Sequence, residues 1–205
     1  RTGSVADVVT WFRAMQAQDL ASGLWSLGAP LPRLTVTGVT AALERREALR
    51  TWPMRGTVHL VPARDARWML DLTGVRPLAG AAARRAYLGL SEQVADRAVD
   101  VLAKALAGGG RLTRAQCLDA LTAAGVVSSG QLGYHLLWYA SQRGVTCIAP
   151  NIGTEQTFVL LDEWVPDPHR PEHQGPRPQR DPVTEHRQAG PRADIAGIAA
   201  DEAAD

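Results

Sequence analysis

The chain has 205 residues, 45% of them hydrophobic and 21% charged, with a formal net charge of +1, enough to bury a real core in one or two domains. No stretch approaches the ~18–20 consecutive apolar residues that span a bilayer. The N-terminus also lacks the basic, apolar, small-residue order of a signal peptide, so the expectation is a cytoplasmic protein with no membrane partner.

In chain order, Val5, Val8, Val9, Phe12 and Met15 form one apolar stripe at helical spacing, and Leu20, Leu24 and Leu27 form a second, predicting helices over 4–15 and 20–27. Asp19 is the candidate N-cap of the second helix. Between the stripes lies Gln16-Ala17-Gln18. Two glutamines with i, i+2 spacing point to nearly opposite faces of a helix and to the same face of an extended segment. A helix break here therefore lets two neutral amides face one pocket or groove.

Pro30 and Pro32 stop the second helix. A third is expected from about 37 to 49, with Val39, Leu43 and Leu49 inward and Glu44, Arg45, Arg46 and Glu47 outward. Two short extended runs follow, Leu49 to Met54 and Thr57 to Val61, with Arg55-Gly56 as a hairpin turn. Pro62 to Leu72 reads as a helix, and Trp68, Met69 and Leu72 are available for packing. Helix, helix, helix, strand, strand is the plan of a winged helix.

After a break over 74–80 the plan repeats. Helices are expected over 91–106, 113–124 with Thr113 as N-cap, and 131–143. Strands follow at 145–149 and 157–161, joined by a loop over 150–156. Cys117 falls on a helix and Cys147 on a strand, with no ligand spacing around either, so both are expected to be buried thiols. From Pro166 onward, proline richness and sparse apolar residues predict a linker, followed by a short helical tail.

The resulting expectation is a mainly α protein with small β-hairpins, an α+β fold of tandem winged-helix units. Its domains are 1–75, 76–165, and 166–205 as linker and fragment of a third unit. Residues 1–165 carry 17 basic and 13 acidic groups, hence +4, whereas 166–205 carry 5 and 8, hence −3. All basic residues except Lys104 are arginine, the better fork for phosphate. No carboxylate cluster is spaced to hold Mg²⁺, so neither a metal nor a cofactor is expected.

Gln16-Ala17-Gln18-Asp19, the block Leu49-Arg50-Thr51-Trp52-Pro53-Met54-Arg55-Gly56-Thr57-Val58-His59-Leu60, and Asp65 together resemble the AlkZ/YcaQ family of bacterial winged-helix DNA glycosylases. The likeness runs from about residue 5 to Trp164. It implies tandem winged helices forming a concave DNA-binding surface, three in the family and two here. It also implies a monofunctional glycosylase, a hydrolase that cuts the N-glycosidic bond of bulky or N7-alkylated purines, interstrand crosslinks included. Such an enzyme serves base-excision repair or self-resistance to a genotoxic antibiotic. The Gln-x-Gln motif, catalytic in the AlkZ branch, falls on Gln16 and Gln18, where the YcaQ branch has Gln-x-Asp.

Within the block, Arg50, Arg55, Thr57 and His59 are the candidate DNA contacts. Arg50 and Arg55 have ion pairs with Glu44 or Glu47 as an alternative role, and His59 has a structural place on its strand. The expected partner is double-stranded DNA bearing alkylated purines, bound by a monomer. The competing reading is a non-catalytic winged-helix DNA-binding protein, a regulator or repair-associated binder. The segments Thr40 to Leu49 and Gln131 to Arg143 are not markedly basic, which disfavours a sequence-reading regulator.

Overall fold

A computed structural model describes residues 3–31 and 33–171. Helix α1 (Val5–Phe12) opens on a reciprocal cap: the Ser4 hydroxyl accepts from the Asp7 amide at 3.1 Å and the Asp7 carboxylate accepts from the Ser4 amide at 2.9 Å. The chain reverses at Arg13, whose φ of 66° is left-handed, and enters the short strand β1 (Met15–Gln16). Asp19 then caps α2 (Leu20–Gly28) as expected, accepting from the Ser22 amide at 2.8 Å.

Helix α3 (Val36–Glu44) stops before the expected end at 49, and Arg46 turns the chain at φ 63°. Leu49, expected as an inward helical residue, lies instead in β2 (Ala48–Met54). Pairing of β2 along β3 (Thr57–Pro62) outweighs the helical spacing, as tertiary context commonly overrides local propensity. The Arg55-Gly56 turn forms as expected, with φ of 51° and 70° at its two residues and Met54 opposite Thr57. Two successive left-handed residues give a turn whose twist matches the flanking strands.

A 3₁₀ turn (Ala63–Asp65) leads into α4 (Ala66–Thr73), and α5 (Val75–Tyr87) follows at once. The expected break over 74–80 is therefore mostly helix. Pro77 falls in the first turn of α5, where no intrahelical donor is required, and the alanines beyond it favour helix.

The second half adds α6 (Glu92–Leu106), β4 (Leu112–Thr113), α7 (Arg114–Ala123) and α8 (Gln131–Gln142). It then adds β5 (Thr146–Ile152), β6 (Glu155–Leu160) and a short α9 (Leu161–Trp164). The expected loop over 150–156 is largely strand, because β5 and β6 run on to a tight turn at Gly153-Thr154 with Ile152 opposite Glu155.

Each half thus repeats helix, two-residue strand, two helices, two strands. All six strands among the described residues join one antiparallel sheet in the order β1-β3-β2-β5-β6-β4, and the halves meet where Arg50 of β2 pairs with Ile148 of β5. One core is built wholly from the first half around Val9, Leu27 and Leu60. The other two are shared: Trp52 and Val58 pack with Leu102, Leu136 and Phe158, and Leu49 and Val61 with Cys147 and Val159. The boundary expected at 75/76 thus falls within one compact unit, Arg1–Pro171.

Past α9 the chain returns along the 3₁₀ turn, where the His169 amide donates to the Arg64 carbonyl at 2.7 Å and Arg64 pairs with Asp167 at 2.8 Å. Of the linker and third-unit fragment expected over 166–205, all beyond residue 171 lies outside the described residues. No helix among the described residues is long and apolar enough to cross a membrane.

Candidate active site

Strand β1 is where the two glutamines meet. Met15 pairs with Leu60 and Gln16 with His59, and the Ala17 amide extends the ladder by donating to the Val58 carbonyl at 2.9 Å. The backbone through the motif is therefore extended, and alternation does the rest. Met15 and Ala17 point into the first core, while Gln16 and Gln18 lie exposed on the other side. Ala17 has to be small: a Cβ added at Gly23 of α2 would stand 2.8 Å from the Ala17 Cβ. The small central residue allows α2 to lie close behind the strand.

The Val58 amide donates to the Gln18 Oε1 at 3.1 Å. That bond fixes which end of the amide faces the strand and turns its NH₂ outward as a donor. Directly opposed residues of an antiparallel pair share a face, so Gln16, His59 and Thr51 form one row across β1, β3 and β2. Thr57, two residues before His59, is on the same face. His59 is only 4% exposed, and its Nδ1–H donates to the Thr57 carbonyl at 2.8 Å. A carbonyl only accepts, so Nδ1 carries the proton. The Thr57 hydroxyl donates to the Met54 carbonyl at 3.2 Å.

The structure therefore gathers Gln16, Gln18, Thr57 and His59 on one side of the β1–β3 pair. Arg55 lies exposed at the turn beyond them. Arg50 is different. It points to the opposite face of β2, is 5% exposed, and donates through Nη2 to the Asn151 Oδ1 at 2.7 Å. Burial pulls its pKa down to about 10. Arg50, expected as a DNA contact, thus sits in the seam between the two hairpins. Its alternative partners are taken by other arginines: Glu44 pairs with Arg111 at 2.9 Å and Glu47 with Arg45 at 2.8 Å.

Asp65, part of the pattern that carries the family resemblance, lies at the start of α4. It is 6% exposed and accepts from the Arg13 guanidinium at 3.5 Å and from the His169 ring at 3.1 Å. The first contact ties the end of α1, three residues before Gln16, to the start of α4. Sequence spacing gave no sign of it, because Arg13 and Asp65 lie 52 residues apart. Among the described residues no group of three or more His, Cys, Asp or Glu is placed to hold a metal ion.

The family model described as DNA glycosylase AlkZ-like matches residues 9–197. The chain belongs to the AlkZ-like DNA glycosylase family. Among solved structures, it is similar to the DNA glycosylase AlkZ of Streptomyces sahachiroi, at a TM-score of 0.66 and 23% identity, over 82% of this chain and 47% of that one. A likeness at that identity speaks to the fold, and the chain spans about half the length of that protein. No curated protein matches the chain. In this AlkZ-like chain the match takes in both glutamines, the β2–β3 block and the whole six-stranded sheet.

Proposed function

We propose that the protein is a monofunctional DNA glycosylase that hydrolyses the N-glycosidic bond of N7-alkylated or otherwise bulky purines. The observation that carries this reading is the pair of exposed amides on the extended segment that β1 opens, one of them held by the Val58 amide. The two halves are read as tandem winged helices, which would present that face to duplex DNA.

An N7-alkylated purine is already cationic, so it leaves with little help from a general acid. The remaining barrier lies in forming an oxocarbenium-like sugar and delivering water to it. A neutral amide accepts a hydrogen bond from that water without titrating, and Gln16, whose partner in the ladder is His59, is the amide free to do so. Gln18, with its oxygen engaged, offers its NH₂ to orient the sugar or the water. Placement of this kind supplies up to roughly 7–11 kcal/mol through effective concentration. Glutamine is no general base, so unmodified nucleotides, with their poor leaving groups, are expected to be cleaved far more slowly. Interstrand crosslinks joined through purine N7 present the same cationic centre and belong to the same proposal, as does a role in self-resistance to the alkylating agent.

The test is incubation with duplex DNA carrying an N7-alkylguanine, scoring alkali-labile abasic sites. Gln16→Ala and Gln18→Ala are expected to lower the single-turnover rate by on the order of 10²-fold or more, the scale of losing one positioned group. Equal rates in both variants would remove the assignment. DNA binding without abasic product in the unaltered protein would leave a non-catalytic binder.

A further inference from the structure

The β2–β3 turn stands between two open clefts. On one side is a cleft of about 700 Å³ lined by Gly56, Gly80, Ala81, Arg84, Arg114 and Tyr134. On the other is a cleft of about 550 Å³ lined by Met54, Arg55, Leu72 and Arg76. Helix α5 runs along both, contributing Arg76 to one and Arg84 to the other. Neither lining contains an aspartate or glutamate.

The four arginines also differ from others in the chain. Arg13, Arg45, Arg64, Arg67, Arg85, Arg111 and Arg143 all pair with carboxylates. Arg55, Arg76, Arg84 and Arg114 have no such partner among the described residues, and all four are exposed. Arg84 donates to the neutral Gln131 Oε1 at 2.6 Å, and Arg114 lies over the Tyr134 ring at 5.7 Å. Both guanidinium groups are thus held at the rim with no carboxylate against them among the described residues.

The larger cleft adds polar groups of its own. Helix α8 starts at Gly130, at φ 56°, with no side-chain cap among the described residues; the Leu132 amide is taken by the Ser129 carbonyl at 3.1 Å, so the helix start adds the positive end of its dipole to the cleft. His135 lines the cleft behind Tyr134. It is 5% exposed and its Nε2 has no hydrogen-bond partner among the described residues. A ligand that satisfies this lining is anionic, rich in acceptors, and has flat or apolar parts to set against Pro77 and Tyr134.

We propose that the two clefts take the sugar-phosphate backbone of duplex DNA on either side of the Arg55-Gly56 turn, with Arg84 and Arg114 on one strand's phosphodiesters and Arg55 and Arg76 on the other's. This rests on the reading that DNA is the partner. The turn leads directly into Thr57 and His59, so backbone held on both sides of it would present the intervening nucleotide to Gln16 and Gln18.

The salt dependence of binding tests the proposal on an undamaged duplex oligonucleotide, independently of catalysis. Each phosphate contact contributes about 0.9 to the slope of log affinity against log salt. The pairs Arg84→Gln/Arg114→Gln and Arg55→Gln/Arg76→Gln are each expected to reduce the slope by about 2. A control pair on α6, Arg97→Gln/Lys104→Gln, removes the same charge away from the clefts and is expected to leave it unchanged. Far-UV circular dichroism verifies that all variants fold. Slopes that fall equally in groove and control pairs overturn the proposal, since only net charge would then matter. If the unaltered protein forms abasic product while the groove pairs keep its slope, the groove alone is overturned. If it forms none while the groove pairs lose slope, the groove stands and the glycosylase reading falls.

Discussion

At position 50 a guanidinium loses most of its hydration, and among the described residues it meets no carboxylate and has the Asn151 amide oxygen as its only side-chain partner. Its burial follows from strand parity, since Arg50 is opposite Leu60 and faces with it. His135 is the titratable counterpart in the second half. Burial, reinforced by the charges of Arg85 and Arg84, lowers its pKa from the ordinary 6.5. Proton uptake there is therefore easier in the unfolded chain. The stabilising preference for neutral His135 is present above about pH 6.5 and is lost as pH falls through the lower folded value. Urea midpoints measured between pH 7.5 and 5 are expected to fall more steeply for the native sequence than for His135→Gln. Burial also pushes the Cys117 thiol up to about 12 and raises Cys147 as well. Both thiols are expected to resist a disulfide reagent at pH 8 in the folded protein and to react together in denaturant.

At the scale of elements, β1 is only two residues long, and its position depends on what touches it. The close approach of Gly23 to Ala17 sets α2 behind the strand, and Asp65 holds Arg13 at the strand's entry. Gly23→Ala would add a methyl where there is no room. It is expected to cost about 1–3 kcal/mol in unfolding free energy, and to slow base release by displacing both glutamines. Chemical denaturation and single-turnover kinetics on the same preparation check this. If stability drops and the rate holds, the spacing behind β1 does not control the amides. The caps and turns of these elements were legible locally: Asp19, Thr113 and Arg55-Gly56 act through residues no more than three positions away. The ends of α3 and the course of β5 were not legible, because strand pairing with distant residues decided them.

At the scale of the whole molecule, the shared cores argue against independent halves. Trp52 and Val58 complete the core of α6 and α8, and Leu49 and Val61 pack against β5 and β6. Residues 1–75 alone would expose the long edge of β2, which in the intact chain pairs with β5. Residues 76–171 alone would lose Trp52, which is 2% exposed in the intact unit. We expect 1–171 to unfold in one cooperative transition and each half by itself to show none, by circular dichroism in urea. Two transitions in the intact chain would show that the seam is weaker than its packing implies.

The sequence by itself determined most of the helices and both hairpins, the break in the helix at Gln16-Ala17-Gln18, and the family to which the chain belongs. Each is written in local spacing: helical stripes, an i, i+2 amide pair, and an unbroken twelve-residue block. Only the tertiary structure decided that the two hairpins form one sheet, that Arg50 is buried in its seam, and that Asp65 braces the motif strand. It also decided that exposed arginines from both halves line clefts beside the same turn. Those outcomes depend on register and burial between residues 50 to 100 positions apart. No local periodicity encodes which side of a strand another segment will cover.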